Sequence, residues 1–262
     1  MLTLIALHTL AATQDFATMS PAQVIGAMFK HYAEAKTGEG TITYTFAAGG
    51  QSMKAITKVA FERPSKLLIH TAVQGGSRKQ WVVTSDGKLM TYDAPPTGLK
   101  SGGDRIMDNV VMLDGKSMPV GRILAIARPG MGDASAPLDI ITADNINLAY
   151  LRGQWAELKE VKESESARTF GGAWRTEDAV EFKGSDIRGG GTSSVQITKT
   201  AQSWNIQGTW SMTVDKSFNI TRYATRQLIT APSGESVEVE SFWDVDVKLG
   251  GSVDSSLFKP RR

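Results

Sequence analysis

Cysteine is absent from the 262 residues, which excludes disulfides, thiolate-bound zinc, thiol nucleophiles and a lipid-modified N-terminal cysteine. A dominant charge is missing too. Lys and Arg number 29 against 27 Asp and Glu, a net charge of +2, and with both signs interspersed the basic footprint of a nucleic-acid binder is not there. Histidine is scarce, three in all, and neither His31 nor His70 has partners at metal-ligand spacing. No His-Glu-x-x-His, Gly-x-Ser-x-Gly, P-loop or dinucleotide fingerprint occurs. Asp139, Asp144, Asn145 and Asn147 miss the spacing of a calcium loop, and a helix end explains them better. No apolar run reaches the length that crosses a bilayer. These absences lead us to expect a non-enzymatic protein with no cofactor, no metal, no nucleic-acid partner and no integral membrane segment.

What is present describes an ordinary folded chain. Hydrophobic residues make up 41% and charged ones 21%, which leaves disorder out and provides enough apolar surface for a real core. Leu2 to Ala12 is an apolar run that leaves through small residues into polar Thr13-Gln14-Asp15, the pattern of a signal segment and its cleavage site. It lacks a basic residue ahead of it, and a buried first element is the other reading. The expectation is a signal segment over 1–12, an exported (periplasmic or extracellular) protein, and a single domain over 13–262.

Ser20-Pro21-Ala22-Gln23 is a capping box with Pro at the first helical position, so it opens a helix running to about Ala35. Val24, Ile25, Met28, Phe29 and Tyr32 then form one apolar stripe. Strands with period-2 alternation follow: Ile42, Tyr44 and Phe46; Met53 to Phe61; Leu67 and Ile69; Trp81 and Val83; Leu89 to Tyr92. Gly49-Gly50, Arg63-Pro64, Gly75-Gly76 and Asp86-Gly87 break them with turn chemistry, the last being a hairpin signal. From Ala94 to about Glu157, prolines and glycines punctuate short apolar pieces, of which Val120 to Ala127 and Leu138 to Leu151 read as helices. Strands then resume at Ala179 to Lys183, Ser194 to Lys199, Ser203 to Asp215, Asn219 to Thr230 and Ser236 to Val247. In the third of these, Trp204, Trp210 and Met212 fall on one face and Asn205 and Thr209 on the other. Arg222 and Arg226 share one face of a strand, and Glu235, Glu238, Glu240, Asp244 and Asp246 follow on the next, a pattern of cross-strand charge pairing on a wet surface. The fold class is therefore α+β, one strongly curved antiparallel sheet with helices on its concave face.

Large side chains gather on the expected inward faces: Phe46, Met53, Phe61, Trp81, Trp204, Trp210, Met212 and Trp243. Aromatic and Met side chains suit an adaptable apolar cavity. They equally suit a core that fills itself.

Four stretches also resemble the LolA/LolB-like lipoprotein-carrier superfamily. They are the Pro21 to Thr37 helix, the Arg63-Pro64 corner between two strands, the Ser85-Asp86-Gly87-Lys88 hairpin ending at Tyr92-Asp93, and the closing Asp254-Ser255-Ser256-Leu257-Phe258. The resemblance spans roughly 20–260, its middle matched only by element order. It implies an unclosed β-barrel plugged by helices, a lipid or lipoprotein acyl chain as ligand, and a membrane-associated partner protein. It also implies that an inner arginine holds the lid helices, matched here to Arg63, which precedes a proline instead of lying mid-strand. The leading reading is a carrier or sensor domain that binds an acyl chain. The other reading is a structural or protein-interaction module with a self-filled core.

Overall fold

Ser20 opens the first helix as its sequence context requires. In the structure, a computed structural model, its hydroxyl accepts from the Gln23 amide while the Gln23 side chain accepts from the Ser20 amide. The model describes residues 15–74, 80–93, 109–112, 119–127, 137–142, 159–163, 166–176, 181–182, 197–198, 205–231 and 233–259. Helix α1, Pro21–Glu34, buries the expected stripe of Val24, Ile25, Met28, Phe29 and Tyr32. A 3-10 turn, Phe16–Thr18, precedes it.

The first meander consists of β1 (Thr37–Ala48), β2 (Gln51–Glu62), β3 (Lys66–Val73), β4 (Gln80–Asp86), β5 (Leu89–Asp93) and β6 (Asn109–Met112). Its turns use the chemistry read in the sequence. Gly49, Gly50 and Gly87 have positive φ, Asp86 accepts from the amides of Lys88 and Leu89, and a cis Arg63-Pro64 bond makes the β2–β3 corner. Helices α2 (Val120–Ala127) and α3 (Leu138–Ile141) follow. The remainder of the helix expected to reach Leu151 lies outside the described residues.

The second meander contains β7 (Lys159–Glu163), β8 (Ala167–Thr176), β11 (Asn205–Asp215), β12 (Ile220–Thr230) and β13 (Ser236–Leu249). The short β9 (Glu181–Phe182) and β10 (Ile197–Thr198) pair only with each other. The two meanders join where β13 lies beside β1, giving one antiparallel sheet of eleven strands in the order β6-β5-β4-β3-β2-β1-β13-β12-β11-β8-β7. Its edges, β6 and β7, do not meet, so the sheet is open. Gly40 sits on the central seam opposite Val247, and a Cβ there would run into the backbone carbonyl of Asp246. The close approach of β1 and β13 needs glycine at that point. Opposite Gly38 on the other neighbour, the Phe61 ring occupies the space a side chain would take, its Cζ 2.7 Å from where the Cβ would be.

The helices cover one face. Val24, Met28 and Tyr32 of α1, Val120, Ile123 and Leu124 of α2, and Leu138 and Ile141 of α3 form one cluster with Ile42, Val59, Phe61, Leu67, Ile69, Met212, Val214 and Val245 of the sheet. On β11 the parity is as expected, with Trp210, Met212 and Val214 buried while Asn205, Gln207 and Thr209 are exposed. The opposite face is not uniformly wet. Ala60, Val82 and Thr84 are buried on the side where Lys66 reaches over the Phe258 ring, and the closing turn Ser255–Phe258 lies against β3 and β4. Phe258, 1% exposed, thus fastens the C-terminal segment to the back of the first meander. Further along the back, Arg226 pairs with Glu238 and Glu240, and Arg222 with Asp244. These are the expected cross-strand pairs, and at this exposure solvent and salt screen them strongly, so they add little to stability.

Candidate functional site

The large inward-facing residues do converge. Phe61, Trp210, Met212 and Trp243 are buried within one cluster beneath the helices, and Phe46 and Met53 are partly buried at its border. Cross-strand register explains this: Phe46 faces Met53, Tyr44 faces Trp243, Trp243 faces Tyr223, and Tyr223 faces Met212. The rings of Tyr44 and Trp243 stack at 5.0 Å, and Tyr223 tilts against the indole at 5.3 Å. Trp81 is partly exposed on β4, opposite Thr71. Trp204 lies outside the described residues.

Arg63 stands at the β2–β3 corner, and its guanidinium reaches the carbonyl ends of two helices. It donates to the carbonyls of Tyr32 (3.2 Å) and Ala35 (2.9 Å) at the end of α1, and to that of Thr142 (3.4 Å) just past α3. Its Cζ lies 5.3 Å from the Phe61 ring centroid. A cation at the C-terminal ends of two helices satisfies carbonyls that have no partner within the helix, and it complements the helix dipoles. Replacing Arg63 with alanine should therefore loosen α1 and α3 together. Hydrogen exchange should show amides in 21–34 exchanging at least tenfold faster, with β12 and β13 unchanged. Unaltered exchange in α1 would mean that apolar packing alone holds the helix.

A second arginine, which the sequence reading passed over, secures the segment entering α1. Arg168 on β8 is 3% exposed. It holds Glu160 of β7 through two 2.6 Å bonds, donates to the carbonyls of Phe16 (2.9 Å) and Met19 (2.7 Å), and lies over the rings of Phe16 and Phe170. These bonds to Arg168 hold the Glu160 carboxyl below the usual range. Two further contacts tie α1 to the β11–β12 turn. The Ile220 amide donates to the Tyr32 hydroxyl at 2.9 Å, and the His31 ring lies 3.1 Å from the Asn219 side chain. Burial pushes the Tyr32 phenol well above its ordinary pKa, so it stays protonated.

Among the described residues no group of three or more His, Asp or Glu could hold a metal ion. The His31 ring, near the helix seat, lies within hydrogen-bond distance of the Asn219 side chain. No described helix is long and apolar enough to cross a membrane.

No family model matches the chain, and no curated protein does either. Among solved structures, the crystal structure of a DUF1329 family protein from Desulfovibrio piger is similar over 94% of this chain and 98% of that one. The identity is 9% and the TM-score 0.32.

Proposed function

We propose that this protein is an exported, non-enzymatic carrier or sensor domain of the LolA/LolB-like kind, which takes an acyl chain between its curved sheet and the helices lying on it. The carrying observation is that the apolar concave face extends past its fully buried centre. Phe46, Met53, Val73, Tyr223 and Leu249 pack against the core yet stay only partly buried. A chain laid along that border extends the core, each methylene it buries contributing about 0.8 kcal/mol. Arg63 fits the lid-holding role that the resemblance gives it, because one side chain bonds backbone carbonyls at the ends of both α1 and α3. A latch of that kind can open without dismantling the sheet. Export follows from the apolar run Leu2 to Ala12, and a membrane-associated partner would supply or receive the chain.

A specific observation favours the second reading, an interaction module with a self-filled core. Phe61, Trp210, Met212 and Trp243 are each 3% exposed or less, so the centre of the concave face is already occupied. One titration separates the two. Saturable binding of a fluorescently labelled fatty-acid methyl ester to the wild-type protein, strengthened when Arg63→Ala loosens the helices, is the expected result. Failure to bind at any concentration below the probe's micelle threshold, in both proteins, would leave the interaction module standing.

A further inference from the structure

Trp243 carries a buried hydrogen-bond donor that the fold does not use. The residue is 2% exposed, and its indole Nε1 has no acceptor among the described residues. Native proteins rarely leave such a donor stranded, and each case calls for an explanation. Two positions earlier on the same strand face lies Ser241, 4% exposed, with its hydroxyl 3.4 Å from that of Tyr44. When Tyr44 donates in that bond, Ser241 retains a proton to give. In that arrangement two donors sit in succession along β13, on the face that the helices cover.

Their surroundings define what they could hold. On this face Ser241 is flanked across the strands by Phe46 and Thr225, with Met53 and Trp210 one strand further out. Trp243 is flanked by Tyr44 and Tyr223, with Ala55 and Met212 beyond. None of these is basic. An ionised carboxylate placed here would lose its hydration with no counter-charge, whereas a neutral carbonyl oxygen would gain the unused donor at little desolvation cost. Apolar side chains lie on both sides along β1 and β13, Ala48 and Val239 past Ser241, and Ile42 and Val245 past Trp243. The concave face thus carries these donors among mainly apolar side chains.

We propose that Trp243, with Ser241 beside it, holds the ester or amide carbonyl of an acylated ligand and so fixes where the chain begins along the sheet. This rests on the acyl-chain reading above and goes beyond it: the ligand is an acyl ester or amide, and a free fatty acid is disfavoured.

The test compares three probes of matched chain length by displacement of bound diphenylhexatriene at pH 8: methyl palmitate, hexadecyl methyl ether and palmitate. In the wild type the ester is expected to bind about three- to tenfold more tightly than the ether, the contribution of one neutral hydrogen bond. Palmitate is expected to bind no more tightly than the ether. Trp243→Phe keeps an aromatic ring and removes the N–H, so the ester-to-ether ratio should fall to about one even if both affinities drop. Ser241→Ala should lower the ratio by a smaller factor, and it serves if the Phe variant does not fold. Equal binding of ester and ether by the wild type, a ratio that survives in Trp243→Phe, or palmitate as the tightest ligand would overturn the anchor while leaving the acyl-chain reading intact. Binding of none of the three would overturn both.

Discussion

Arg168→Ala is expected to lower folding stability by about 3–5 kcal/mol, the range found when one member of a buried ion pair is removed. The Arg168 side chain is 4% exposed and that of Glu160 23%. Alanine would strand the Glu160 carboxylate and leave the Phe16 and Met19 carbonyls without their donor. The loss comes mostly from what remains unpaired and only partly from the pair itself. The double variant Arg168→Met with Glu160→Leu should therefore recover much of it, since neither charge is then left behind. Urea unfolding at pH 7 measures both, and a loss below about 1 kcal/mol for Arg168→Ala would refute the assignment.

The pH dependence of that bridge has a definite sign. Arg168 depresses the folded-state pKa of Glu160 below its unfolded value. The contribution is then complete above the ordinary carboxylate range and disappears as pH falls through the depressed value. The stability gap between wild type and Arg168→Ala should accordingly be constant from pH 6 to 8 and shrink only in acid. A gap that closed near pH 6.5 instead would implicate a histidine.

Much of this architecture was legible because alternation and turn chemistry are local properties. The Ser20 capping box, the Asp86-Gly87 hairpin and the parity of Trp210 and Met212 depend on residues a few positions apart, and all appear as read. β7 and β8 escaped notice for a physical reason. The described inward positions of β8 are Arg168, Phe170 and Gly172, opposite Val214, Met212 and Trp210 of β11. A buried cation and a glycine occupy two of the three, so no apolar period shows. Nothing near Arg168 in the sequence marks it for burial, because the partners that make its burial tolerable are Glu160, eight positions away, and the carbonyls of Phe16 and Met19, about 150 away. The β1–β13 seam is equally non-local. Gly38 and Gly40 were its only trace, and a glycine in a strand does not say which neighbour comes close. Arg63 entered only through the resemblance, since nothing in its neighbouring sequence indicates that two helices end against it.

Trp210→Ala should cost about 3–5 kcal/mol, as deletion of a well-buried aromatic ring does. The ring is 3% exposed and lies between Thr225 on β12 and Gly172 on β8. Gly172 has no side chain with which to refill the space. The surrounding strands are held by their own ladders, so collapse into the hole should be incomplete and the penalty near the top of that range. Trp81, partly exposed on β4, should cost clearly less on the same substitution. The hole would be apolar and dry, and a small aromatic such as indole should enter it and restore part of the lost stability by mass action. A loss below about 1.5 kcal/mol in urea unfolding, unaffected by indole, would show that the ring faces space already empty. In that event the centre of the concave face is a cavity in the resting protein, and an acyl chain can enter it without displacing the helices. With the full penalty and indole rescue, the centre is solid, and a chain has to run along the Phe46–Met53 border or lift α1 from its seat on Arg63 and Arg168.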